Sequence, residues 1–402
     1  MKSPDQPTGL RRLCILGATG SIGTQTLDWV RSDARYSVSG LSAHQDIDGL
    51  IALGREFPDA ALAAGDAAGV ERVRDALGAR RRILHGAQGL TELAEASDSD
   101  TVVAGIVGSP GLASTLAAVR CGKRVLLANK EALVMSGVLL LEAARESGAE
   151  LIPIDSEHSA LLQCLPAPCA RSCIRGDTSD AGQWSQIARL WLTASGGPFW
   201  SRQDVDWAQV SVNEACAHPV WSMGRKISVD SATLVNKGLE LIEASLLFSV
   251  PHSQVDVLVH PQGLVHALVE FADGSQIASL GAADMRIPIG YALAWPGRAE
   301  RPVQRLDLAS APDLSFERID ARFAAVSLAR EAMNSGQNAM IAYNAANEIA
   351  VDAFLQSKIK FDRIVPCIED GLRRADPGTV RSIEDISQVQ QQAISYAREW
   401  IA

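Results

Sequence analysis

The chain has 402 residues, 47% of them hydrophobic and 21% charged, with a formal net charge of −10. This length and apolar share exclude wholesale disorder and predict two or three domains with sizeable cores. The acidic balance speaks against a general nucleic-acid binder but not against a local anion site, and no run of about 18 apolar residues is present to span a membrane.

From the N-terminus, MKSPDQPTGLRR lacks an apolar core segment, so no signal peptide is expected. Leu13 to Leu16 reads as a strand, followed by Gly17, Gly20 and Gly23 and then a helix through Val30. The loop, ILGATGSIG, lets a pyrophosphate reach free helix N–H groups, because glycines permit both the tight turn and the close approach. Further strands are predicted at Val38 to Leu41, Thr101 to Val107, Lys123 to Ala128 and Leu151 to Ile154, separated by helical patterns such as Gly111 to Arg120. Such alternation predicts parallel βαβ units. No Tyr is followed four residues later by Lys, which excludes the short-chain dehydrogenases.

Asn129, Lys130 and Glu131 open a helix after RVLLA. A Lys in a first turn opposes the helix dipole, so Lys130 is expected to face an anion or a substrate oxygen, unless it simply snorkels to the surface. Asp155 and Glu157 close the IPID run, at the sheet edge where ligands of α/β proteins bind; two carboxylates so close need a proton or a cation between them. Helix capping alone would explain Asp155. Pro166 to Gly182 reads as a surface insertion. Leu190 to Ala194 is a strand that ends in SGG, placing Ser195 for close approach to an oxyanion. His218 to Lys226, HPVWSMGRK, reads as a mobile lid or as an ordinary anchored loop.

Val229 to Glu243 reads VDSATLVNKGLELIE. Asn236, Glu240 and Glu243 share one helix face, Lys237 lies beside it, and Ser231 is expected at a helix N-terminus. Gly238 costs about 1 kcal/mol relative to Ala in mid-helix, so something is expected to approach the backbone there. Carboxylates suit a hard divalent cation, and Ser, Asn and Lys suit a phosphate; a solvated polar face would give the same pattern. Val255 to Val259 is a strand, and Leu264 to Phe271, Asp273–Gly274 and Ser275 to Leu280 form a hairpin. Leu306 to Phe316 reads as a linker, and helical patterns fill the rest. The seven cysteines read as reduced thiols of a cytoplasmic protein. The predicted fold is α/β: an N-terminal Rossmann-like parallel sheet, an α+β middle and a C-terminal helical bundle.

GATGSIG, ANKEALV, DSEHSA, LTASGGPF, HPVWSMGRKISVDSATLVNKGLE and ADMRIPIGYALAWP together resemble the 1-deoxy-D-xylulose 5-phosphate reductoisomerase family, in order and over most of the chain. The resemblance implies an NADPH-dependent, metal-assisted rearrangement and reduction giving 2-C-methyl-D-erythritol 4-phosphate, the committing step of non-mevalonate isoprenoid synthesis. It implies Mg²⁺, Mn²⁺ or Co²⁺ on Asp155, Glu157 and Glu240. Substrate contacts would be Lys130, Ser156, Glu157, Ser195, His218, Ser231, Asn236, Lys237 and Glu240, with Lys130, Glu157 and His218 at the reacting end. Thr19, Gly20, Ser21, Ile22, Asn129, Glu131 and Gly224 would line the dinucleotide, and His158 and His266 would support the site. A homodimer is implied, with residues 1–155 binding dinucleotide, 156–305 catalytic with a lid at 217–226, a linker at 306–317 and helices at 318–402. Where the family usually places a basic residue and an Asn after the second strand, this chain has Gln45 and Asp46. A plain dehydrogenase would need a nucleophilic Cys, for which Cys164 and Cys216 are the candidates. A catalytically dead nucleotide-binding module should have lost a ligand, yet all are present.

Overall fold

The computed structural model describes residues 10–78, 80–177, 184–221, 223–300 and 303–402. Its first layer is a seven-stranded sheet of β1 (Arg11–Leu16), β2 (Tyr36–Ser42), β3 (Ala61–Ala64), β4 (Ile83–His85), β5 (Thr101–Ala104), β6 (Arg124–Leu127) and β7 (Glu150–Pro153). Every pairing is parallel, in the order β4-β3-β2-β1-β5-β6-β7. The order reverses between β1 and β5, the switch point where such sheets open a crevice beyond their strand ends. β5 stops before the Val107 that the apolar run suggested. Gly105 N–H donates to Leu16 O at 3.1 Å, and a Cβ on Gly105 would lie 2.9 Å from that oxygen, so the chain closes on β1 and residues 105–107 turn toward the crevice.

β3 and β4 escaped the sequence pattern. β3 reads ALAA, and alanine is depleted in strands. It is nonetheless fully buried between β2 and β4, so pairing and burial override propensity.

The second sheet contains β8 (Ile187–Ala194), β9 (Val255–Val259), β10 (Val265–Phe271), β11 (Gln276–Leu280) and β12 (Glu317–Arg318), in the order β11-β10-β8-β9-β12. The β10–β11 hairpin turns at Gly274, whose φ of +85° suits glycine. β12 ends the 306–317 stretch, tying it to β9. The 166–182 segment is not a surface insertion in its first half: the Ala167–Ile174 helix buries Cys169, Cys173 and Ile174 against β7. Residues 178–182 of that segment, Ser222 of the lid region and the first nine residues lie outside the described ones.

The C-terminal helices are Ala325–Ser335, Gln337–Leu355, Ile364–Arg374 and Ile383–Ile401. Gln337–Leu355 is apolar on nearly every face because it is the central one, packed on the other three and on the Lys130–Ser136 and Arg225–Thr233 helices. Phe199 meets Trp207 and Phe361 edge-on at 5.5 and 5.3 Å between centroids. Such pairs contribute about 1 kcal/mol each beyond area burial and join the second sheet's end to these helices. All seven cysteines are free thiols. No helix among the described residues is long and apolar enough to cross a membrane.

Candidate active site

The Ser156–Cys164 helix starts directly after β7, and Asp155 caps it, its Oδ1 accepting the Ser156 N–H at 3.0 Å. The capping expectation therefore holds, and the same turn aims Asp155 and Glu157 at the crevice. Glu240 arrives from the Val235–Leu247 helix, and the three carboxylates each offer an oxygen within 4.8 Å of the others. Two ammonium groups brace them. Lys130 pairs with Asp155 and donates to Glu240 Oε1 and Asn236 Oδ1, both at 3.0 Å. Lys237 donates to Glu157 Oε1 at 2.6 Å and pairs with Glu240. Lys130 is buried, so it does not snorkel.

Burial opposes the charge on both lysines, but the carboxylates outweigh it and hold both above the usual lysine range. Burial also pushes Glu157 up, yet Lys237 and Lys130 bring it down to about 2. Glu240 is pushed up, first by burial and then by the Glu157 charge. A buried triad of hard oxygens, with three negative charges facing two positive ones, fits a divalent cation by donor type and by charge.

Ser231 is not at a helix N-terminus. It lies in the last turn of Arg225–Thr233, and the next helix begins at Val235. Leu234 makes the break in the left-handed region, at φ +59°. A non-glycine residue there costs of order 1 kcal/mol or more, and such strain concentrates at functional sites. The break places Ser231 beside the first turn of the following helix, which carries Asn236 and Lys237.

The group that approaches Gly238 is Tyr343 of the Gln337–Leu355 helix, not a ligand. A Cβ on Gly238 would lie 2.2 Å from the phenolic oxygen, which donates to Ala325 O at 3.1 Å. Gly238→Ala is expected to destabilise the protein by about 1–3 kcal/mol. Tyr343→Phe in the same chain should return part of that loss, read as coupling in a double-mutant cycle of denaturant unfolding; strictly additive losses would refute the contact's role.

Glu243 does not share the open face with Asn236 and Glu240. It is fully buried, with Oε2 3.5 Å from His158 Nδ1. His158 Nε2 donates to the Glu240 carbonyl at 2.9 Å, which leaves Nδ1 as a lone pair. Burial lowers His158 to about 4, so its ring is neutral. Burial and then the nearby Asp155 hold Glu243 well above the usual carboxylate range. His266 lies beside Trp221 with its ring tilted by 53°, at 6.0 Å between centroids.

His218 Nδ1 accepts the Val220 and Trp221 N–H groups at 3.2 and 2.8 Å, so Nε2 carries the hydrogen and donates to Ser195 Oγ at 2.8 Å. The start of the lid region is thereby tied to the end of β8.

One cavity of about 670 Å³ brings together Gly20, Ser21, Ile22, Lys130, Asp155, Ser156, Glu157, Ser195, His218, Gly224, Ser231, Asn236, Lys237 and Glu240. Thr19, Asn129 and Glu131 do not line it. Asn129 caps the Lys130–Ser136 helix and donates to Gly108 O at 2.9 Å. Glu131 is buried on Lys226 at 2.9 Å; Lys226 also pairs with Asp230, which accepts from Asn347. These residues brace the lining from behind. Sequence reasoning missed Gln25, Asp28, Ile106, Val107, Asp284, Met285 and Arg286, which also line the cavity. For the last three, the ADMRIP motif was the available signal.

The glycine loop fits a dinucleotide. Gly20 caps the Ser21–Ser32 helix at the cavity rim, and a Cβ on Gly23 would lie 2.4 Å from Gly17 O. Cys164 is no nucleophile: it is buried, and burial raises its thiol to about 11.

Three family models match along the chain. They are described as 1-deoxy-D-xylulose 5-phosphate reductoisomerase over residues 13–137, its C-terminal domain over 151–248, and the DXP reductoisomerase C-terminal domain over 280–396. A 1-deoxy-D-xylulose 5-phosphate reductoisomerase of Burkholderia lata is 47% identical over 397 residues, 98% of this chain and 97% of the relative. One of Burkholderia pseudomallei is 48% identical over 391 residues, covering 95% of each. A DOX-P reductoisomerase solved with NADPH, fosmidomycin and magnesium superposes with a TM-score of 0.92 at 44% identity, covering 98% of both chains. The enzyme from Zymomonas mobilis, solved with NADPH, gives 0.87 at 40% identity, over 97% of this chain and 99% of that one. With matches of this extent around such a cavity, the chain belongs to the 1-deoxy-D-xylulose 5-phosphate reductoisomerase family.

Proposed function

We propose that this cavity converts 1-deoxy-D-xylulose 5-phosphate to 2-C-methyl-D-erythritol 4-phosphate, using NADPH and Mg²⁺, Mn²⁺ or Co²⁺. The observation that carries this reading is the meeting of Asp155, Glu157 and Glu240 in the same cavity as the glycine loop. Asp155, Glu157 and Glu240 hold the cation, which when bound polarises the substrate's carbonyl and hydroxyl oxygens. Ser195, Ser231, Asn236 and Lys237 hold the phosphate, with Lys237 supplying the charge. Lys130, Ser156 and Glu157 orient the reacting end, and His218 donates a hydrogen bond from the lid region and helps exclude water. Gly20, Ser21, Ile22 and Gly224 seat the dinucleotide; Thr19, Asn129 and Glu131 shape that seat.

The organisation that goes with this function is a dinucleotide-binding part at 1–155, a catalytic part at 156–305 with a lid at 217–226, a connector at 306–317 and helices at 318–402. The protein works in the cytoplasm as a homodimer. In support of the dimer, both edges of the second sheet expose apolar side chains: Ile277 and Leu280 on β11, and Leu314 and Phe316 leading into β12.

The test is an omission assay on purified protein. Deoxyxylulose phosphate, Mg²⁺ and NADPH together should oxidise the nicotinamide, read by absorbance, and leaving out any one should abolish the signal. Full activity in excess chelator would overturn the metal assignment, and turnover of an unrelated aldehyde without metal would favour a plain dehydrogenase.

A further inference from the structure

The glycine loop is bound to the end of β2. Gly17 N–H donates to Ser42 Oγ at 2.9 Å, and Ala18 N–H to the Ser42 carbonyl at 2.7 Å. In a doubly wound sheet the side chains just beyond this strand face the adenosine ribose of a bound dinucleotide. A carboxylate there accepts the 2′-hydroxyl, whereas a cation accommodates a 2′-phosphate. Here the segment is Ala43-His44-Gln45-Asp46-Ile47-Asp48, with no lysine or arginine. His44, Gln45 and Asp46 are all exposed.

Asp46 is held in place as the cap of the Ile47–Glu56 helix, its Oδ1 accepting the Gly49 N–H at 2.9 Å. The β3 loop packs against this segment, since a Cβ on Gly65 would lie 2.4 Å from His44 Nδ1. That loop adds another carboxylate, Asp66, which caps the next helix. Arg72, on that same helix, is engaged by Asp48 at 2.7 Å. The segment after β2 and the loop after β3 thus carry Asp46, Asp48 and Asp66 against one committed guanidinium.

Resting on the dinucleotide reading above, we propose that Gln45 and Asp46 make this protein a weak discriminator at the ribose. It binds NADH within about tenfold of NADPH, because a 2′-phosphate gains no charge-assisted bond and meets a fixed carboxylate. The test is equilibrium titration of the protein with each dinucleotide, followed by nicotinamide fluorescence, at low and high salt. Beside it stands the double variant Gln45→Arg/Asp46→Asn, in which Asn retains the helix cap.

The unaltered protein should give affinities within about tenfold of each other. The variant should favour NADPH by at least a further thirtyfold or so, with NADPH binding now weakened by salt. Binding of NADPH a hundredfold or more above NADH by the unaltered protein would overturn the proposal while leaving the dinucleotide reading intact. An unchanged ratio in the variant would likewise overturn it. Failure of either dinucleotide to bind would overturn both.

Discussion

Glu240→Gln is expected to lower turnover by about a thousandfold or more at saturating substrate and Mg²⁺, since a ligated cation is worth several kcal/mol to this chemistry. The substitution keeps the size of the side chain and removes only its charge. Glu240 is nearly fully buried, with Lys130 and Lys237 against its two oxygens and Asn236 donating to one of them. An amide oxygen is a weaker donor to a hard dication, and the two ammonium groups then face only Asp155 and Glu157. Kinetics should be paired with a direct Mn²⁺ titration, in which affinity falls by at least tenfold or so. Near-normal turnover with unchanged Mn²⁺ affinity would remove Glu240 from the ligand set.

Lys237→Met is expected to act on binding and on stability at once. Loss of the ammonium removes the only charge assigned to the phosphate, so KM should rise about a hundredfold or more, as for the loss of a charge-assisted contact. It also leaves Glu157 and Glu240 facing each other in a buried site, and breaking such a pair costs about 3–5 kcal/mol. The pH dependence follows from Glu157, whose folded-state value of about 2 lies below its ordinary 4.5. A carboxylate depressed in this way stabilises the fold above its unfolded value, and that contribution is lost as pH falls through the folded one. Without Lys237 the acid limb of stability should move to higher pH, and saturating Mg²⁺ should restore part of the loss. An unchanged KM would show that Lys237 does not hold the phosphate, whatever happens to stability.

Much of this fold was legible because its signals are local. The strand at Leu13 to Leu16, its glycines, the Asp-Gly hairpin turn and the DSEH cap depend on backbone geometry and on burial within a few residues. The β3 alanines were not legible, since ALAA forms a strand only when β2 and β4 stand on either side of it. Gly238 and Glu243 show the same limit. Their positions on the helix were correctly inferred, but which neighbour each face meets depends on how the helix is rotated in the packed protein. One meets Tyr343 and the other His158.

Sequence alone therefore determined the chemical groups of this protein: a glycine-rich loop between a strand and a helix, two carboxylates at a strand end, and Asn, Lys and Glu at helical spacing. These follow from residue type and from periods of two and 3.6 residues, which require no knowledge of distant segments. Only the tertiary structure decided that Glu240 joins Asp155 and Glu157, that Lys130 and Lys237 lie between them, and that Asn129 and Glu131 stand behind the cavity wall. Those outcomes rest on strand order and on the seating of the Val235–Leu247 helix against the Lys130–Ser136 helix and β9, contacts between segments far apart in the chain.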